Sequence, residues 1–184
     1  PTATATQKQT HKCIMCPIMM PVRGNYAEML GTIVHIGDSD NPISVVAAFD
    51  TLAEVSVVSA DLVTKNTKRT PGVEDTPVWG VGQGSSPLIG EFGIPTRFRW
   101  GAQIQELNLR KDNGDFMQQL RGLKMVIGIP TLVALGAQID LASRQVRLEA
   151  LHLTLELEPV GSLVARLACK PMRALSLCGG GEFC

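Results

Sequence analysis

The most constraining feature of this chain is the run ISVVAAF, residues 43–49, which follows the turn-dense Gly37-Asp38-Ser39-Asp40-Asn41-Pro42. A short, uncharged, β-branched run bounded by turn residues predicts a buried strand. The run before it, MLGTIVHI (29–36), has the same character, so the two predict a hairpin. EVSVVS (54–59) predicts a further strand, followed by a short helix over 59–63 with Ser59 as its N-cap. Residues 64–76 are polar and read as a loop. Between 76 and 100, two apolar runs flank a glycine-rich hairpin tip at 83–86. IQELNL (104–109) alternates like a half-exposed strand, KDNGDFMQQLRG (111–122) reads as a polar connection, and MVIGI (125–129) is another buried strand. Pro130 opens a short helix that stops at Gly136. AQIDLASRQVRLE (137–149) predicts a hairpin turning at 142–144, in which Asp140 holds the turn. LHLTLELE (151–158) alternates as an edge strand would.

Many strands and two short helices within about 120 residues predict an all-β barrel or sandwich rather than a βαβ fold. Residues 1–27 read as a leader of mixed composition, 28–150 as the folded domain, and 151–184 as a Leu-rich C-terminal extension. Lysine plus arginine equals aspartate plus glutamate at 17 each, so bulk electrostatics gives no reason to expect a nucleic-acid or membrane-surface partner. The five cysteines lie at 13, 16, 169, 178 and 184, leaving the middle of the chain without any. With no secretory signal evident, the expectation is a soluble, cytoplasmic chain. His11, Cys13 and Cys16 include a Cys-x2-Cys pair, but Pro21 and Tyr26 stand where a zinc knuckle needs further ligands, so no metal is expected. GVGQG (80–84) lacks the Lys-Ser/Thr of a phosphate loop, and no cofactor is expected either. Trp79 and Trp100 read as packing residues.

One carboxylate attracts attention. Asp50 sits where the buried run 43–49 breaks into a turn, and Thr51 follows it. Such an acid can cap the amides of Leu52 and Ala53; among Val, Ala and Phe it is also a costly group to bury unless it is used.

The segment FDTLAEVSVVSADLV (49–63) resembles the active-site segment of the retropepsin-like aspartic proteases, in which an Asp-Thr/Ser-Gly-Ala turn precedes a β-branched strand and a short helix. VWGVGQGSSPLIGEF (78–92) resembles that family's flap, and MVIGIPTLVALGAQIDLASRQVRLE (125–149) its closing block. The resemblance spans about residues 28–150 and is closest to the retrotransposon-encoded and DNA-damage-inducible types. It implies a closed β-barrel with a flap hairpin, and an endopeptidase acting on polypeptides, from a retroelement polyprotein; the absence of Met at Pro1 fits a fragment or processed product. A second Asp-Thr/Ser-Gly is missing, so the implied enzyme is a homodimer with one Asp50 from each chain, working best in mild acid. The resemblance implies catalytic roles for Asp50 and Thr51, the latter bridging the two active-site loops. It implies substrate contacts from Leu52, Ala53, Trp79, Gly80, Val81 and Gly82, and packing of Gly128 beneath the Asp50 loop. Leu52 stands where the family has Gly or Ala. A non-catalytic dimerisation or peptide-binding module of the same fold is the alternative.

Overall fold

The computed structural model describes residues 28–37, 41–79, 85–113, 117, 120 and 122–169. Strands β1 (Leu30–Ile36), β2 (Ile43–Phe49) and β3 (Val57–Val58) are followed by β4 (Thr76–Trp79), β5 (Ser85–Phe98), β6 (Gln105–Asp112) and β7 (Leu123–Ile127). Helix α1 (Ile129–Ala134) leads to β8 (Ala137–Asp140), β9 (Gln145–Leu148), β10 (Leu153–Glu156) and β11 (Glu158–Pro159), and helix α2 (Val160–Ala168) ends the described chain. Hydrogen bonds run β1-β2-β7-β3-β6-β5 and return to β1, closing a six-stranded barrel. Strands β8, β9 and β10 form a separate three-stranded sheet. This is the all-β closed barrel with one long hairpin and short helices that the resemblance implies. Among the described residues no helix is long and apolar enough to cross a membrane.

The run 43–49 lacks alternation because both of its faces are buried. Val45, Ala47 and Phe49 join the barrel interior, where Phe49 stacks on Phe98 with ring centroids 6.5 Å apart. Val46 and Ala48 point the other way, into a second core with Val126, Val160 and Leu163. Helix α2 supplies that outer layer, and β11 pairs with the start of β1 at Leu30↔Pro159. Packing therefore continues past the expected domain end at residue 150, as far as Leu167. The strand expected at 151–158 is present as β10, at the edge of the small sheet.

The long hairpin pairs β4 with β5 from Thr76↔Leu88 to Trp79↔Ser85. Ser85 and Ser86, expected in the tip, are therefore strand residues, and the rest of the expected tip, 83–84, lies outside the described residues. At its root, β5 bulges between Ile89 and Glu91. Gly90 takes φ +50°, a left-handed conformation that a side chain disfavours. Asp75 Oδ1 accepts hydrogen bonds from the Gly90 N–H at 2.8 Å and from Arg69 Nη2 at 2.9 Å. Arg110 Nη2 donates to the Glu74 carbonyl at 2.6 Å. The loop after β3 is less free than its composition suggests, since the Thr70 N–H donates to Glu91 O at 2.7 Å and the Gly93 N–H to Lys68 O at 2.9 Å.

Other expectations need correction. Only Val57 and Val58 of residues 54–59 enter the sheet, wedged between β6 and β7. A 3-10 turn, Ala60–Leu62, replaces the helix after Ser59, whose side chain makes no capping hydrogen bond. The connection at 111–122 contributes to the core: Met117 and Leu120 are buried, and Asp112 accepts the Met117 N–H at 2.8 Å. Trp100 does not pack inward. It is 79% exposed at φ +67°, with the Arg99 guanidinium 4.7 Å from its ring centroid. Asp140 does hold its turn, accepting from the Ala142 N–H at 2.9 Å and from Ser143 Oγ at 2.7 Å.

Candidate active site

Asp50 lies at the point where β2 leaves the barrel. Strands β2 and β7 run parallel, with Phe49 opposite Ile127, and the Asp50 N–H extends that ladder by donating to Ile127 O at 3.0 Å. The next residues turn back sharply. Leu52 donates its N–H to Asp50 Oδ1 at 2.9 Å, and the Ala53 N–H reaches Asp50 O at 3.3 Å. Asp50 thus caps its own turn, as a turn-opening aspartate does. It is also only 8% exposed. Burial pushes the carboxyl above its ordinary range, while the amides of Leu52 and Ala53 pull it back down. Among the described residues no ion pair to Asp50 offsets that burial.

Gly128 sits beneath this turn. Its backbone is extended (φ −92°, ψ −178°), so no unusual conformation demands glycine. Space does. A Cβ there would meet the Ala53 carbonyl oxygen at 2.6 Å and press still closer on that of Val55. Both obstacles are backbone atoms with no freedom to swing aside. The same close approach lets the Ile129 N–H donate to Ala53 O at 2.8 Å and the Gly128 N–H to Ser56 Oγ at 2.9 Å. Ser56 Oγ lies 2.7 Å from Thr131 Oγ1, both buried. The corner is thus stitched from two stretches of chain, 50–56 and 127–131.

Residues 51 to 53 face different ways. The Thr51 side chain is exposed and lines a cleft of about 320 Å³ with Ile129, Leu132, Val133 and Ile139. Leu52 is 42% exposed, on the open side of the turn. The non-glycine residues with positive φ among those described are Trp100, Arg144 and His152, so the turn accepts leucine at 52 without left-handed strain. Ala53 is wholly buried in the second core. Trp79 ends β4, and Gly80, Val81 and Gly82 lie outside the described residues. His11, Cys13 and Cys16 lie outside them as well. Among the described residues, no group of three or more His, Cys, Asp or Glu side chains is arranged to hold a metal ion.

Sequence reasoning missed the apolar rim of this site and the hydroxyl pair under it. Ile129 and Val133 are 41% and 72% exposed on α1, beside the cleft. Their signal was faint but present: two large aliphatics on a six-residue helix that already buries Thr131 and Leu132.

No family model and no curated protein matches the chain. Among solved structures, the retroviral protease-like domain of Ddi1 from Leishmania major aligns with 71% of this chain and 94% of its own, at 17% identity and a TM-score of 0.47. EIAV protease complexed with the inhibitor HBY-793 aligns with 61% of this chain and 93% of its own, at 23% identity and a TM-score of 0.38. The chemistry of the corner is therefore read from its own geometry.

Proposed function

We propose that this chain is half of an aspartic endopeptidase, completed when two copies bring their Asp50 turns together about a two-fold axis. The observation that carries this reading is the Asp50 corner: a buried carboxyl raised by desolvation, hydrogen-bonded by the Leu52 amide, with a hydroxyl-bearing Thr51 next to it and an apolar cleft alongside. The exposed Leu52, Ile129 and Val133 give that face a reason to be covered by a partner or a substrate.

In the completed site two carboxyls share one proton. The ionised Asp50 takes a proton from a water molecule as its oxygen bonds to the scissile carbonyl carbon. The protonated Asp50 of the other copy donates to the carbonyl oxygen, giving a gem-diol. Collapse of the diol breaks the C–N bond, the amide nitrogen leaves with a proton, and the carboxyls return to their shared-proton state. A polypeptide is the substrate class. The β4–β5 hairpin is the element available to close over it. One specific observation favours a second reading: Leu52 stands on the open side of the turn, where a bulky side chain obstructs an approaching peptide, so a peptide-binding module without turnover is the alternative.

Digestion of a fluorescent casein and of a peptide library between pH 4 and 8 separates the two. Cleavage on the acid side, abolished in Asp50→Asn and falling in specific activity on dilution, is the expected result. Leu52→Gly should raise kcat/KM by roughly 5- to 150-fold, the equivalent of relieving about 1–3 kcal/mol of crowding. Equal cleavage by wild type and Asp50→Asn removes the aspartic mechanism. Binding without cleavage, even in Leu52→Gly, selects the second reading.

A further inference from the structure

Three hydrogen bonds donated by main-chain N–H groups cross the corner between residues 50–56 and 127–131: Asp50 N–H to Ile127 O, Ile129 N–H to Ala53 O, and Gly128 N–H to Ser56 Oγ. The first two join main-chain atoms, so any residue at those positions makes them. The third alone depends on a side chain. It is needed because β7 ends at Ile127 and α1 begins at Ile129, leaving at the N-cap Gly128, which has no side chain to cap with. Its N–H is buried against the Asp50 turn, where an unmet donor is costly. Ser56 meets it, and Thr131, on the first turn of α1, fixes the Ser56 hydroxyl in turn. Neither hydroxyl touches the Asp50 carboxyl, whose own bond is to the Leu52 amide.

We propose that Ser56 is a positioning residue, with Thr131 as its support, that sets the aim of the Asp50 carboxyl by locking the exit of its turn to the β7–α1 junction. The functional side of this inference rests on the peptidase reading. The turn is short. Asp50 is pinned to β7 at its entry and Ser56 to Gly128 at its exit, so the amides of Leu52 and Ala53 have little freedom to drift from the carboxyl. Without the Ser56 hydroxyl, the exit is released, the Leu52 N–H bond loosens, and the carboxylate loses part of what stabilises its charged form.

The test compares Ser56→Ala, Ser56→Thr and Thr131→Val with the wild type by two readouts. The first is kcat and KM across pH; the second is titration of the Asp50 carboxyl followed by 13C NMR, which needs no activity. Ser56→Ala should lower kcat roughly 10- to 100-fold with KM little changed, the effect expected of a misaimed group. It should also move the Asp50 titration upward. Ser56→Thr, which keeps the hydroxyl, should restore both. If Ser56→Ala lowers Tm but leaves the titration and the kcat of the folded fraction at wild-type values, serine only fills a buried hydrogen bond and the inference is overturned. If the wild type cleaves nothing, the peptidase reading fails, while the titration still decides whether Ser56 positions Asp50. Should Ser56→Ala not fold, Thr131→Val removes only the support; a smaller upward movement sustains the inference and an unmoved titration overturns it.

Discussion

The Asp50 corner and the Gly90 bend each redirect a strand, and they are held by opposite means. At the corner the partners are neutral and buried: backbone amides, carbonyls and two hydroxyls, with no room for a methyl group at Gly128. At the bend the partners are charged and half open to solvent. The Arg69 and Asp75 side chains, which clasp Gly90 through a single carboxylate oxygen, are 51% and 57% exposed. Buried neutral hydrogen bonds are indifferent to salt, whereas exposed ion pairs are weak and screened. The molecule thus holds its buried acid with neutral groups and the root of its long hairpin with exposed charges.

Paired substitutions at the two glycines should break this comparison open. Gly128→Ala forces a Cβ onto two carbonyl oxygens and should destabilise by about 3 kcal/mol or more, lowering the urea unfolding midpoint by about 1 M or more. At Gly90 the first obstacle is Arg69 Nε, at 2.6 Å, on a side chain that is able to swing away. Gly90→Ala should therefore cost only about 1–2 kcal/mol, the penalty of a left-handed alanine. Equal losses at the two sites would mean that the corner is no stiffer than the bend.

The charge on Asp50 offers a finer distinction. Its carboxyl lies above the ordinary value of 3.8 in the folded state, so folding favours the protonated form. That contribution to stability is fully present below the unfolded value and is lost as pH rises through the folded one. At pH 7 the wild type has lost it, and Asp50→Asn, which carries no charge, has not. The variant should melt higher than the wild type at pH 7 by calorimetry, with the gap closing as pH falls toward 3.8. A variant less stable at neutral pH would show that the Leu52 and Ala53 amides outweigh burial. The smallest effect belongs to the bend: Arg69→Ala should cost about 0.2–1 kcal/mol at low salt, and the difference from wild type should shrink in 1 M NaCl. A loss that survives high salt would mark Arg69 as a packing residue over Gly90.

What was legible in the sequence follows the same division. Strands β1, β2 and β7 announced themselves because burial on both faces leaves their runs mostly apolar. Helix α1 was framed by Pro130 and Gly136, and Asp50 by the abrupt end of ISVVAAF. The hairpin tip was misjudged because Ser85 and Ser86 owe their strand conformation to pairing with Trp79 and Val78, not to their own preference. Met117 and Leu120 hid in polar text, and the Asp112 carboxylate that accepts the Met117 amide lies five positions earlier. Nothing local singles out Ser56 from its neighbour Ser59; the hydroxyl it meets belongs to a residue 75 positions later.

That separation has a consequence in time. Contacts between distant segments must wait for loop closure, and folds built on them form slowly. During synthesis at about 5–20 residues per second, roughly 4 to 15 s pass between the emergence of Ser56 and that of Thr131, 75 residues on. Through that interval the Asp50 turn has no β7 ladder to join and no Gly128 beneath it. Its carboxyl is an ordinary solvated acid, and it gains the burial that raises it only when the last barrel strand arrives.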